Sequence, residues 1–225
     1  MNKFNPCLTG NSKVLTIDGP VSFSELAVSG DDVLVYCIDD KGEIRLSKMF
    51  HPRVTGFNRE IMKITLEDGT VIESTPNHEF LTDAGYVAAE DLFEDDNILF
   101  TRLSEEFSKS GVDSDIAEYC NVTGTKKGTV VKKCEMCGNE FECVWEEREL
   151  CAEEEHQREL YYDVIEPMKN RISEKTKDWK YLKIDKIEFQ VDGEDVYNGT
   201  VAVYHNYFTI DESTGTIINH MNCGE

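Results

Sequence analysis

Cys7 stands near one end of the chain, and Asn222 and Cys223 stand side by side near the other. A cysteine thiolate attacks carbonyl carbon readily, and acyl transfer between thiols costs little energy. An asparagine can attack its own backbone carbonyl through its side-chain nitrogen. That closes a five-membered imide and cuts the chain after the asparagine, and Asn222 before Cys223 is placed for such a cut. A lone cysteine is usually a small core residue; the two ends together make a more specific pattern.

Between them lies Thr75-Pro76-Asn77-His78. A Thr and a His three residues apart at a strand end can face one pocket. The His can donate a proton to a leaving amide nitrogen, and the Thr can hydrogen-bond a developing oxyanion. Taken alone, the tetrapeptide reads as a turn with a surface histidine. A second cluster has different chemistry. Cys134-Glu135-Met136-Cys137-Gly138 has the form of a zinc knuckle, two thiolates on a tight loop with a Gly that lets the backbone approach. Cys151 with His156 is the preferred closing pair for a tetrahedral, structural zinc, with Cys143 as competitor for a ligand place. Four unpaired buried thiols are the plain alternative. Cys37 reads as core.

These residues need elements to hold them. Val14-Leu15-Thr16-Ile17 and Val33–Ile38 read as short strands, and Ile61–Leu66, Glu67-Asp68-Gly69 and Thr70-Val71-Ile72 as a hairpin. The β pattern resumes at Tyr181–Ile184, Val196-Tyr197, Val201–Tyr204 and Tyr207–Ile210. Residues 103–180 differ: they hold the cysteine cluster, both tryptophans and a Glu/Lys/Arg-rich stretch of helical character. The simplest organisation is one mainly β domain split in sequence, 7–102 and 181–222, around a small α+β insertion at 103–180.

Composition narrows the classes. The 225 residues are 40% hydrophobic, enough for a real core, and carry a formal net charge of −22. Such a surface repels phosphate backbones, so nucleic acid is not an expected partner. No apolar run approaches the ~20 residues that span a bilayer, and the first residues do not read as a signal peptide. A cytoplasmic, reducing setting follows, with the eight cysteines as thiols, ligands or nucleophiles.

The constellation resembles the intein (Hint) family in order, type and spacing. Cys7-Leu8-Thr9-Gly10-Asn11-Ser12-Lys13-Val14 is similar to the family's first block, and Thr75-Pro76-Asn77-His78-Glu79-Phe80-Leu81 to its T-x-x-H block. Val196-Tyr197-Asn198-Gly199-Thr200-Val201 through His205-Asn206-Tyr207-Phe208 resembles the late block, and Gly215-Thr216-Ile217-Ile218 into Asn222-Cys223 the last. The resemblance implies a horseshoe-shaped β fold with its ends together, and protein splicing in cis without cofactor by a monomer. It implies that Cys7 attacks the Pro6 carbonyl with His78 and Thr75 assisting. Cys223 then takes over the acyl group, and Asn222 cyclises with help from His205 or His220. Asn198 would orient groups, and each molecule would act once.

Three departures from the family pattern stand out. Met221, not histidine, precedes Asn222, with His220 one residue further back. Asn198 stands where the family usually has aspartate, so an amide replaces a carboxylate. Pro6 restricts the chain before the first scissile bond. Residues 1–6 and 223–225 are then host sequence, and joining them gives Phe-Asn-Pro-Cys-Gly-Glu, which resembles the active-site loop of ribonucleotide reductases. The insertion is short for a homing endonuclease and carries more acids than bases. Cleavage without ligation would leave Cys223 unexplained, and a zinc-dependent nucleic-acid-binding protein would leave both ends unexplained.

Overall fold

The computed structural model of the chain describes residues 7–103, 130–133, 140–143, 165–201 and 203–222. Its strands are β1 (Leu8–Thr9), β2 (Lys13–Thr16), β3 (Gly19–Ser22), β4 (Val33–Ile38), β5 (Ile44–Leu66), β6 (Val71–Ser74), β7 (Glu79–Thr82), β8 (Gly85–Ala88), β9 (Asn97–Thr101), β10 (Val130–Lys133), β11 (Glu140–Cys143), β12 (Lys180–Val201), β13 (Asn206–Asp211) and β14 (Thr216–Met221). Helix α1 spans Phe23–Ser29 and α2 spans Glu166–Lys175. The mainly β expectation holds. All strands but β10 and β11 join one sheet.

That sheet bends back on itself, because β12 pairs with β1, β5 and β9. The pairing of β5 with β12 is the spine of the molecule. Sequence patterning suggested several short strands here; the structure has two long ones. Interruptions such as Pro52, Gly56 and Gly199 break the alternation without ending the pairing. They coincide with a run of register shifts, including those between Val196 and Tyr197 and between Asn198 and Thr200. Bulges bend and twist a strand pair, so one long ribbon can serve both halves of the core. Val201–Tyr204, expected as a strand, is cut short. β12 stops at Val201, and Val203 and His205 take positive φ of 64° and 47° as the chain reverses.

Elsewhere local chemistry explains local structure. α1 begins with a capping box: Ser22 Oγ accepts from the Glu25 amide at 3.2 Å, and Glu25 Oε2 accepts from the Ser22 amide at 3.0 Å. The helix stops at Gly30, φ 65°, where a left-handed cap suits glycine. Phe23 and Leu26 are buried in the main cluster with Val14, Ile64, Phe80 and Tyr207. α2 falls inside the range read as insertion, yet Met168 and Ile172 pack with Leu15, Ile38, Phe208 and Ile217. The helix therefore belongs to the core of the β domain.

Strand β14 completes the arrangement. It pairs along its length with β13 and contacts β9 and β7 on its other edge. Every residue from Thr216 to Met221 is buried. A fully covered strand thus delivers Asn222 into the interior. β10 and β11 pair Lys133 with Glu140, forming a separate two-stranded sheet whose strands flank residues 134–139.

Candidate functional site

Strand β1 sits between β12 and β6, with Leu8 opposite both Tyr197 and Ser74. This register carries Cys7 to the level of Asn198 on the spine. Cys7 is 3% exposed. Its amide donates to Thr75 Oγ1 at 3.0 Å, and its carbonyl accepts from the Thr75 amide at 3.0 Å and the Thr75 hydroxyl at 3.3 Å. Thr75 thus grips both polar groups of the Cys7 backbone. Its own carbonyl accepts from the His78 amide at 3.0 Å, the turn closure that sets His78 three residues on.

His78 is fully buried, with Nε2 2.9 Å from His220 Nδ1. His220 Nε2 lies 2.6 Å from Thr209 Oγ1, and its ring stacks on Tyr207 with centroids 5.6 Å apart. Burial pushes the His78 pKa down to about 3, so the ring is neutral near pH 7. Burial, and then the neighbouring His78, hold His220 well below the usual histidine range. Burial also lowers His205. Among the described residues, His78 Nδ1, His205 Nδ1, the Tyr207 hydroxyl and Ser74 Oγ are buried without a hydrogen-bond partner. Such groups cost ~1–3 kcal/mol each, and two of the four, on His78 and Tyr207, belong to this network.

The other end of the chain is held as tightly. Asn222 Nδ2 donates to Asn198 Oδ1 at 2.7 Å and to the Gly199 carbonyl. Asn222 Oδ1 accepts from the Val201 amide at 3.3 Å, and the Asn222 amide donates to the His205 carbonyl at 2.7 Å. Asn198 Oδ1 also accepts from the Gly199 amide at 2.9 Å, which fixes its orientation. The acceptors on the Nδ2 hydrogens leave electron density on the nitrogen, which favours it as a nucleophile, while the donor on Oδ1 fixes the plane of the carboxamide. Gly199 is required by space: a Cβ there would lie 2.6 Å from Met49 Cγ.

The structure therefore joins Cys7 with Thr75, His78 with His220, and Asn198 with Asn222. His205 reaches Asn222 through its carbonyl, while the His220 ring is engaged by His78 and Thr209. The signal for the His78–His220 contact was present in the sequence, but only pairing of β14 with β7, His220 opposite Phe80, makes it visible. Thr55 and Thr209 were not singled out. Thr55 Oγ1 lies 3.0 Å from Cys7 Sγ, across 48 residues of chain, and no local pattern marks it. Cys223 and the four metal candidates Cys134, Cys137, Cys151 and His156 lie outside the described residues. Among the described residues no group of three or more His, Cys, Asp or Glu is placed to hold a metal, and no helix is long and apolar enough to cross a membrane.

Comparison with known proteins bears on the family and the fold. The chain is 36% identical over 98 residues to a DNA gyrase protein of Synechocystis sp., which is 41% of this chain and 9% of that protein. It is 32% identical over 129 residues to Warthog protein 1 of Caenorhabditis elegans, which is 50% of this chain and 26% of that protein. The chain thus spans only a minor part of either relative. Among solved structures it shares a fold with a DnaB intein from Synechocystis sp. PCC 6803, at TM-score 0.55 and 14% identity over 96% of this chain and 99% of that one. A bacterial intein-like domain from Clostridium thermocellum matches at TM-score 0.52 and 15% identity, over 96% and 98% of the two chains. The family model described as the intein splicing domain matches residues 15–221, and the chain belongs to that family.

Proposed function

We propose that the chain excises residues 7–222 and joins the flanking segments, 1–6 and 223 onward, by a peptide bond. The observation that carries this is the pair of clamps on one spine: Thr75 on the Cys7 backbone and Asn198 on the Asn222 carboxamide, both beside residues 196–201 of β12. In the first step Cys7 Sγ bonds to the Pro6 carbonyl carbon as the carbon–nitrogen bond breaks. The proton lost from sulfur is made up on the Cys7 nitrogen. Thr75 keeps that nitrogen in place, and the neutral His78 relays the proton, its unpartnered Nδ1 taking it from the thiol and passing it to the nitrogen. Cys223 Sγ then attacks the thioester, and the Cys7 sulfur leaves. Asn222 Nδ2 attacks its own carbonyl carbon, closing the succinimide and freeing the Cys223 amine. That amine displaces the thioester on the same residue and forms the new peptide bond. Every acyl transfer is internal, so no ATP or cofactor enters.

The host is proposed as a ribonucleotide reductase, on the sequence Phe-Asn-Pro-Cys-Gly-Glu that joining would create. A structural zinc held by Cys134, Cys137, Cys151 and His156 is proposed on the chemistry of the donor set, three thiolates and an imidazole; β10 and β11 flank the first pair. No step of splicing runs through it. Native mass spectrometry of the full chain, with and without a chelator, should show one zinc lost on chelation and absent in Cys134→Ser; zinc-free wild-type protein would refute that part.

Splicing itself is tested by following intact mass over time in reductant, beside Cys7→Ala and Asn222→Ala. The expected result is loss of the precursor, with Cys7→Ala confined to the C-terminal cut and Asn222→Ala confined to the N-terminal one. An unchanged precursor in folded wild type would overturn the proposal.

A further inference from the structure

The sulfur of Cys7 has a neighbour that neither the motifs nor the family reading accounts for. On the spine, consecutive residues Val196 and Tyr197 pair with Gly56 and Val54. Thr55 between them has no partner opposite it. It is the extra residue of a β-bulge, and bulges beside reactive sites re-aim a side chain. Here the hydroxyl is aimed inward. Thr55 Oγ1 lies 3.0 Å from Cys7 Sγ and 3.2 Å from the Val196 carbonyl oxygen.

We propose that Thr55 is a catalytic residue of the thioester steps, the hydroxyl that manages charge on the Cys7 sulfur. This rests on Cys7 being the first nucleophile. At rest the Thr55 hydroxyl donates to the Val196 carbonyl, and its oxygen accepts the Cys7 S–H, so the thiol is held in one orientation. A hydroxyl has one hydrogen and two lone pairs and rotates freely about its C–O bond. As the Cys7 thiol gives up its proton, which passes to the departing Cys7 nitrogen, Thr55 turns and donates to the thiolate, and sulfur bonds to the Pro6 carbonyl carbon as that carbon's bond to nitrogen breaks. When Cys223 takes the acyl group, the Cys7 sulfur departs with the bonding electrons, and Thr55 donates to it a second time. A carboxylate could not do this, having no hydrogen to give. The family's usual aspartate is replaced by Asn198, and the Asn198 side-chain oxygen is bonded to Asn222 and Gly199.

The variants are Thr55→Val, which keeps shape and removes the hydroxyl, and Thr55→Ser, which keeps the hydroxyl. Both are made in the full chain carrying Asn222→Ala and Cys223→Ala, so that only the first junction reacts. Release of residues 1–6 by dithiothreitol is followed by intact mass from pH 6 to 9, with thermal melting as the folding control. Thr55→Val should slow release roughly tenfold, the worth of a hydrogen bond to a charged group, and move the rising limb of the pH–rate profile toward higher pH. Thr55→Ser should recover to within about threefold of the parent. If the Thr55 parent itself releases nothing, the splicing reading fails. If the parent reacts and Thr55→Val matches it, Thr55 has no such role. Equal slowing by both variants, or slowing with an unmoved pH limb, also overturns the proposal.

Discussion

Replacing Asn198 by alanine should separate the two ends of the reaction. Asn198 Oδ1 accepts from Asn222 Nδ2 at 2.7 Å and from the Gly199 amide at 2.9 Å, and the residue is 4% exposed. Alanine removes the acceptor from both. Each hydrogen bond is worth about 0.5–1.5 kcal/mol net. The Gly199 amide is also left without its partner in a buried site. The Asn222 carboxamide keeps only the Gly199 carbonyl and the Val201 amide, which leave it free to pivot. A loss of about 1.4–2.8 kcal/mol in alignment is a ten- to hundredfold slower cyclisation, at ~1.4 kcal/mol per factor of ten. Cys7 and Thr75 are held from β6 and β1, so the first junction should react within about threefold of wild type. The assay is quantitative mass spectrometry of both cleavage products from the full chain over time, in reductant. Asn198→Asp keeps both acceptor contacts and should restore the C-terminal cut. Unchanged C-terminal cleavage in Asn198→Ala, or equal loss at both junctions, would refute the clamp.

Two further outcomes are expected on stability. His78 has a folded pKa of about 3 against an ordinary value of 6.5, because burial disfavours its charged form. The unfolded chain therefore binds that proton first; stability is fully present above pH 6.5 and declines as pH falls toward 3. His205 and His220 shift the same way, so Tm should drop between pH 7 and 5, and drop less in His78→Gln. Lys169 Nζ lies 2.7 Å from Glu79 Oε1, the side chains only 6% and 17% exposed. Lys169→Met takes that ammonium away from the Glu79 carboxylate and should cost about 1–3 kcal/mol, or roughly 5 °C of Tm, largely recovered by also making Glu79→Leu.

The chemistry was more legible than its wiring. Nucleophiles and turn residues declare themselves by type and place, so Cys7, Thr75, His78 and Asn222 stand out in the sequence. The strand at 33–38 and the hairpin around Gly69 were equally plain, since local alternation and a turn decide them. The long β5–β12 ribbon was not, because its bulges break period two while the pairing continues. Thr55 was invisible for the same reason: its place beside Cys7 depends on a register shift against a strand 141 residues away. α2 read as part of the insertion, its Glu- and Lys-rich surface masking the few apolar positions that reach the core. His220 was linked to Asn222 by nearness in sequence, whereas strand pairing gives its ring to His78.

The ligated product is the most direct test. The full chain, folded in reductant, should yield a peptide in which Pro6 is followed by Cys223, with its mass and fragment ions matching Met-Asn-Lys-Phe-Asn-Pro-Cys-Gly-Glu if residues 1–6 and 223–225 are the whole of the flanks. The excised 7–222 segment should end in a succinimide or its hydrolysed form. Release of the two flanks as separate peptides, with no Pro–Cys bond formed in wild type, would contradict splicing and leave a domain that only cleaves.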